Sequence, residues 1–264
     1  VIKGEKDALV QLSENMWNLN PAVMIESINK IPGGFVYNFL NNRNNKIFAR
    51  EIRKAIKKLH FKNYILFNDS SMFLGQHQKK LLKPSIYVYY MRDNLIKNPY
   101  WRRHGVKLEP ELIARADLVV NNSTLYTKYG KKFNEHSYMV GQGCDISSFD
   151  ERHKNIEIAE ELKNISRPII GYVGFLTSRR LDIALIEGIA KKRPDWSIVL
   201  VGPEDEAFQN SALHSCNNVH FLGSKDEAVL PNYIKGFDIC INPQLINDAT
   251  IGNYPRKIDE YLAM

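Results

Sequence analysis

The feature that most constrains this chain is a rhythm. Short, continuously apolar runs alternate with longer amphipathic stretches. In the second half the runs are residues 169–174, 197–202, 219–223 and 238–242. A strand that is apolar at successive positions is buried on both faces, which a parallel sheet covered by helices provides. The stretches between them fit helices. Residues 181–192 place Leu181, Ala184, Leu185 and Ile189 on one side, and shorter helices are expected over 207–214 and 226–236. A last helix opens at Pro255, a residue suited to a first helical turn.

The first half repeats the rhythm less cleanly, with apolar runs at 35–40, 64–68, 86–91, 118–121 and 137–141. Between them, residues 46–59 align Phe48, Ile52, Ala55 and Leu59 on one helical face. Shorter helices are expected over 76–82, 110–116 and 123–132, with Ser123 as N-cap of the last. A polar stretch, 149–167, ends in Arg167-Pro168 just before a new strand and reads as the boundary. The expected architecture is α/β: two Rossmann-like parallel-sheet domains, 1–166 and 167–264, facing a cleft.

At 264 residues the chain has room for one large or two modest domains. No run approaches the ~20 apolar residues of a membrane-spanning helix. The charged start, residues 1–7, does not read as a signal peptide. Cys144, Cys216 and Cys240 are an odd, widely spaced set, which fits a reducing cytoplasm better than a disulfide framework or a zinc site. The seven histidines form no HExxH or HxH pair, so no metal is expected. The net charge of +7 is unevenly spread. Residues 1–166 hold 26 Lys and Arg against 17 Asp and Glu, a net of +9, whereas 167–264 hold 10 against 12, a net of −2. A one-sided basic domain points to an anionic partner, although a solvated basic surface reads the same way.

Parallel sheets bind ligands at the carboxyl ends of their strands. The loops there contain Gly174, Gly202-Pro203, Gly223 and Asn242-Pro243. The stretch 171–182 follows its strand-end glycine with Arg179 and Arg180, either of which can neutralise a phosphate. The closing stretch Asn253-Tyr254-Pro255-Arg256-Lys257-Ile258-Asp259-Glu260 is the strongest constellation. A helix starting here offers free N–H groups to a phosphate. Lys257 adds a point charge, and Glu260, three residues on, can accept hydrogen bonds from a ribose. An ordinary amphipathic helix would carry the same residues.

These segments resemble the nucleotide-sugar-binding domain of group 1 (family 4-like) glycosyltransferases, which have the GT-B fold. Four pieces match in order: Ile170-Gly-Tyr-Val-Gly174 with Asp182; Arg193-Pro-Asp-Trp196 leading to Val199-Leu-Val-Gly202-Pro203; Asn218-Val-His-Phe-Leu-Gly223; and Lys257-Ile-Asp-Glu260-Tyr-Leu-Ala263. In the first half, Glu111–Asp117, Asn122-Ser123 and Gly141-Gln-Gly143-Cys-Asp145 match less specifically. The resemblance implies that Gly174, Phe175 and Arg179 or Arg180 lie by the donor diphosphate. Gly202 and Pro203 would flank the base, Tyr254 and Lys257 would hold the phosphates, and Glu260 the ribose. It also implies retention of configuration without a metal or cofactor. In similar enzymes the strand end occupied here by Arg92-Asp93 faces the reaction centre. Asp93 is therefore the catalytic candidate, with Asp69, Ser70 and Arg92 on the acceptor side. Two positions depart from the pattern: Gly252 stands where the first glutamate of E-x7-E is usual, and Phe175 where a cation often follows the glycine. No opening strand-and-glycine-loop unit is visible in 1–30, and the chain stops inside its last motif, so it reads as a piece of a longer protein.

The expected function is sugar transfer from a nucleotide-sugar to an acceptor hydroxyl in cell-surface polysaccharide or glycolipid synthesis. An inactive nucleotide-binding module and a GT-B-fold nucleotide-sugar isomerase are the alternatives. The basic residues of 46–59, with Lys79, Lys80, Lys83, Lys97, Arg102 and Arg103 around Tyr100 and Trp101, suit an anionic membrane surface or a diphosphate-linked lipid acceptor. Nucleic acid is disfavoured, since no RRM, KH, zinc-finger or helix-turn-helix pattern is present. The expected location is cytoplasmic, at the inner face of the membrane.

Overall fold

The computed structural model describes residues 8–150, 152, 155–248 and 250–264; the charged start read above as no signal peptide lies outside them. The chain divides into two compact units, Val1–Gly141 and Gln142–Met264.

The first unit begins with an antiparallel hairpin, β1 (Leu9–Ser13) and β2 (Met16–Leu19), which forms its own two-stranded sheet. Helix α1 (Phe35–Lys58) follows, then β3 (Ile65–Asp69), α2 (Gln78–Leu82), β4 (Ile86–Met91), α3 (Pro99–Arg115), β5 (Leu118–Asn121), α4 (Thr124–Gly130) and β6 (Ser137–Met139). Strands β3-β4-β5-β6 pair in that order, all parallel. The core on this sheet joins Tyr87 and Tyr89 of β4 to Leu112 and Ile113 of α3, with Met72 and Tyr126. Ser123 caps α4 as expected, its side chain accepting from the Tyr126 amide.

Three expectations for this unit change. Residues 35–40 are the first turns of α1, not a strand. Phe35 and Phe39, one turn apart, point to solvent, so this apolar run covers no sheet. The stripe Phe48, Ile52, Ala55, Leu59 is not the buried face either. The buried residues of α1 are Tyr37, Asn41, Asn44, Asn45, Ala49 and Glu51. This helix docks through amides: Asn45 donates to the Phe73 carbonyl at 3.0 Å and accepts from the His77 amide at 3.1 Å. Finally, the short helix expected at 110–116 is the end of α3, which starts at Pro99 behind an Asn98 cap and carries Pro110 inside it. Proline removes one hydrogen bond to the residue four back. That residue, Val106, lies on the exposed side of the helix.

The second unit follows the sequence closely. Its elements are β7 (Ile169–Val173), α5 (Ile183–Lys192), β8 (Ser197–Val201), α6 (Glu206–Gln209), β9 (Val219–Gly223), α7 (Leu230–Lys235), β10 (Ile239–Cys240) and α8 (Lys257–Leu262). The strand order is β10-β7-β8-β9, again all parallel. All five residues of β7 and of β8 are buried, as continuous apolar strands require. Alternation splits them between two cores. Ile169, Val173, Val199 and Val201 face Phe149, Leu162, Tyr233 and Phe237, while Tyr172, Ile198 and Leu200 face Leu176, Ile186 and Phe208. Because Phe149 and Leu162 belong to the second core, residues 142–166 pack with the second unit. The division therefore falls after Gly141, 25 residues before the boundary expected at 166. The charge asymmetry sharpens accordingly: residues 1–141 hold 23 Lys and Arg against 11 Asp and Glu, and 142–264 hold 13 against 18.

Candidate functional site

In the second unit the ends of β7, β8 and β9 are tied together by backbone. The Gly174 amide donates to the Val201 carbonyl at 2.8 Å, and the Gly202 amide to the Gly223 carbonyl at 2.9 Å. A Cβ at Gly202 would lie 2.0 Å from the Gly174 carbonyl oxygen, and φ there is +147°, so this corner admits glycine alone. The next turn is fixed by Leu176, whose amide donates to the Pro203 carbonyl at 2.8 Å. Asp205 accepts from the Ser178 amide at 2.8 Å and hydroxyl at 3.0 Å, and caps α6 through the Phe208 amide at 3.0 Å. Burial of its carboxyl works toward a higher pKa, but the amides and hydroxyls it accepts from hold it below the usual carboxylate value. Asp205 is a bracket of this edge that the sequence reading passed over; its signal was the run Gly202-Pro-Glu-Asp205 before a short helix.

Lys257 meets this corner from α8. Its Nζ donates to the Tyr172 hydroxyl at 2.5 Å, lies 3.9 Å from the centre of that ring, and would be 2.7 Å from a Cβ at Gly174. Burial pushes its ammonium down to about 8; Glu260 opposes this and Arg180 adds to it. A half-buried lysine beside a second cation is a site short of negative charge. Arg180 is exposed yet acts electrostatically on both Lys257 and Tyr172. Arg179 is exposed too, and its carbonyl is held by Asn247. The structure thus brings Gly174, Gly202 and Lys257 together, with the Arg180 charge acting on Lys257 from an exposed position beside Arg179.

Glu260 is buried, with Oε1 3.4 Å from Nε of Arg256. Arg256 also reaches Glu227 at 3.5 Å, a link the sequence reading missed. Tyr254 is exposed and its hydroxyl donates to Asp259 at 2.6 Å. Phe175 is exposed just past the strand end, as is Pro203. The start of α8 is less open than expected: the Ile258 and Asp259 amides donate to the Pro255 and Arg256 carbonyls at 3.1 and 3.0 Å. The cationic character here therefore rests on the Lys257 side chain more than on free helix amides. Gly252 has φ +86°, a conformation that a glutamate would adopt only under strain. The loop is pinned instead by Thr250 and Asn247, whose side chains each accept from the other's backbone amide at 3.0 and 3.1 Å.

In the first unit, Asp69 ends β3 and Arg92 follows β4, with Nε 3.3 Å from Asp69 Oδ1. Ser70 takes a left-handed φ of +56°, uncommon for a residue with a Cβ. Its hydroxyl donates to the Tyr90 carbonyl at 3.1 Å. Asp93 is half-buried, and the arginine beside it in sequence pairs with Asp69. Burial, then Asp69, raises the Tyr90 phenol, with Asp93 adding to the rise and Arg92 opposing it. The four first-unit candidates therefore share one strand edge, together with Tyr90, which the sequence reading left as a strand residue. Among the described residues no cluster of three or more His, Cys, Asp or Glu is arranged to hold a metal ion.

Two parallel four-stranded sheets with these loop-borne edges define the class: a GT-B, Rossmann-like fold. The similarity extends to individual proteins. The chain is 29% identical over 181 residues to a Bacillus subtilis (strain 168) protein named "Putative teichuronic acid biosynthesis glycosyltransferase TuaH", covering 65% of this chain and 44% of that one. Among solved structures it is similar to Anabaena HepE in complex with UDP, with TM-score 0.60 and 18% identity over 81% of this chain and 61% of that one. It is also similar to an alpha,alpha-trehalose-phosphate synthase (UDP-forming) from Burkholderia xenovorans in complex with glucose-6-phosphate. There the TM-score is 0.59 and identity 12%, over 88% of this chain and 61% of that one. The chain thus spans less than half of TuaH and about three-fifths of each structure. No protein-family model matches it.

Proposed function

We propose that the protein of which this chain is part transfers a sugar from a nucleotide-sugar, UDP-linked by analogy with HepE, to an acceptor hydroxyl. The observation that carries the reading is the Gly174–Gly202 corner with the Lys257 ammonium over it and Arg180 beside it. There the absence of a Cβ at Gly174 lets the Lys257 ammonium pack directly on the strand-end backbone, and with Arg180 it supplies two cations for a bound diphosphate. As the bond from sugar to diphosphate breaks, charge builds on the leaving phosphate. Lys257 and Arg180 stabilise that charge without moving. Glu260 receives the ribose hydroxyls, Gly202 and Pro203 flank the base, and Tyr254 and Phe175 line the approach. Asp93 addresses the sugar or acceptor, with Asp69, Ser70 and Arg92 holding the acceptor side. No metal or cofactor enters this scheme, and the sugar keeps its anomeric configuration. The setting of this reading is cell-surface polysaccharide synthesis at the inner face of the membrane, of which only the first part draws support from the teichuronic acid biosynthesis in the name of TuaH. No helix among the described residues is long and apolar enough to cross a bilayer.

Gly252 favours a second reading, a nucleotide-binding module without turnover, because the loop lacks the usual sugar-contacting carboxylate. Titration of the whole protein with UDP, GDP and their sugars tests both readings. UDP binding is expected, with release from the UDP-sugar only when acceptor is added. Binding with no release under any acceptor supports the module, and no nucleotide binding at all overturns both. Glu260→Ala is expected to weaken UDP by roughly tenfold to a hundredfold through loss of charged hydrogen bonds, with the fold retained. Unchanged affinity removes the ribose role.

A further inference from the structure

The loops that border the Lys257 corner present apolar side chains to solvent. Phe175, two residues past the end of β7, is 54% exposed, Ile246 90% and Ile251 47%. Large apolar side chains left in water around a binding edge mark what that edge contacts. Hydrogen bonds tie each of them to the cations. The Tyr172 hydroxyl, which accepts from the Lys257 ammonium, donates to the Phe175 carbonyl at 3.4 Å. Ile246 stands between two ties to the arginines: the Leu245 amide donates to the Arg180 carbonyl at 2.8 Å, and the Asn247 side chain to the Arg179 carbonyl at 3.2 Å. Ile251 follows the buried Thr250, and the chain then runs through Tyr254 into α8 and Lys257. All of these residues belong to the second unit.

The polar side chains of the loop 245–253 are turned to holding it. Asn247 and Thr250 accept each other's backbone amides, and the Thr250 hydroxyl donates to the Leu245 carbonyl. Among the described residues of this loop the exposed ones are Ile246, Asp248 and Ile251. Asp248 is the loop's one charged residue, and it precedes the Thr250 turn, whereas Ile251 follows it on the side of α8. Gly252 comes next and adds no side chain.

We propose that this rim selects a donor sugar carrying a methyl group, as a 6-deoxy or an acetamido sugar does, over one carrying only hydroxyls. The proposal deepens the transferase reading and rests on it. A sugar joined to a diphosphate held at Lys257 and Arg180 is one bridging oxygen from the phosphate and so lies against these loops. A methyl group there sheds water against Phe175, Ile246 and Ile251, whereas a hydroxyl at the same place loses water without gaining a partner. A carboxylate would draw instead on Arg179 or Arg180, which makes a uronic acid the competing outcome. Apolar contacts of this kind discriminate by about tenfold per methyl-sized step.

The test is calorimetric titration of the whole protein with UDP, UDP-glucose, UDP-6-deoxyglucose, UDP-N-acetylglucosamine and UDP-glucuronate. Each sugar's affinity is divided by that of UDP for the same protein, so that effects on the diphosphate cancel. The better of the two methyl-bearing donors is expected to bind about tenfold tighter than UDP-glucose. Which of the two it is places the methyl group on C6 or on the acetamido group. Ile246→Asn with Ile251→Asn is expected to abolish the preference, with circular dichroism and UDP affinity unchanged, and Ile246→Leu with Ile251→Leu to retain it. With UDP bound, three results would overturn the proposal: UDP-glucose as tight as both methyl-bearing donors, UDP-glucuronate tighter than either, or a preference that survives the asparagine pair. Absence of UDP binding would instead overturn the transferase reading, and this proposal with it.

Discussion

Lys257 concentrates the chemistry of the second unit in one side chain. Burial lowers its ammonium to about 8, so above that pH the free protein loses the charge that a diphosphate would meet. A bound diphosphate favours the protonated form and draws a proton back. The sign follows from linkage: UDP affinity is flat between about pH 7, where its terminal phosphate is fully ionised, and about pH 8, and then falls by up to about tenfold per pH unit as binding takes up a proton. Calorimetric titration of UDP across that range, in buffers of different ionisation enthalpy, measures both the slope and the proton. Lys257→Met is expected to weaken binding at neutral pH and to remove the slope. A parent affinity that ignores pH there would separate Lys257 from the phosphates. The Tyr172 hydroxyl and ring make this arrangement possible, because they hold the ammonium in place without neutralising it.

At the scale of elements, the second unit was readable because its strands are buried on both faces and announce themselves as unbroken apolar runs. Strands β7, β8 and β9 fall within a residue of their expected ends. Helix α1 was misread because its inner face is mixed: Asn41, Asn44, Asn45 and Glu51 are buried beside Tyr37 and Ala49, while Phe35 and Phe39 are exposed and the Phe48–Leu59 stripe is only half-buried, which blurs the rule used to place an amphipathic helix. In the candidate site, the strand-end glycines, Lys257 and Glu260 stand out as candidates by type and spacing. The Glu227 contact of Arg256, the Ser178 contacts of Asp205 and the influence of Asp69 on Tyr90 do not, since each depends on a partner distant in sequence. Glu109 of α3 is another such case. It is buried against β4, accepting from the Tyr89 hydroxyl at 2.9 Å, and burial raises its carboxyl to about 7. The unfolded chain releases this proton near the ordinary glutamate value of 4.5. The stabilisation is therefore complete below about pH 4.5 and is lost as pH rises through about 7, by a total on the order of 3 kcal/mol. Urea unfolding of the parent from about pH 5 to 8 is expected to show this decline. Glu109→Gln, which can still accept from Tyr89, is expected to flatten it and to be the more stable protein at pH 8 by roughly 1–3 kcal/mol. Parallel declines in both proteins would assign the pH dependence to other groups.

At the scale of the molecule, the two units differ in charge as well as in sequence legibility. The first carries a net of +12 and the second −5, a division wider than one drawn at residue 166. The basic excess thus belongs wholly to the unit bearing α1, while the diphosphate corner sits in a unit that is acidic overall and positive only locally, at Lys257 and Arg180. The placing of the division has a mechanical consequence. The polar stretch 149–167 reads as a boundary by composition, yet Phe149 and Leu162 within it are buried in the core formed by Ile169, Val199 and Tyr233. A fragment of residues 142–264 retains that core, whereas one of residues 167–264 exposes the surface those two side chains cover. Burying a Phe and a Leu stabilises by about 2 kcal/mol each, so the shorter fragment is expected to be less stable by roughly 4 kcal/mol or not to fold. Urea unfolding of the two fragments, followed by circular dichroism, measures the difference. In the longer fragment, Phe149→Ala with Leu162→Ala should reproduce most of the loss, which ties it to the two side chains rather than to chain length. Equal midpoints for the two fragments would return the division to residue 166 and leave 142–166 with the first unit.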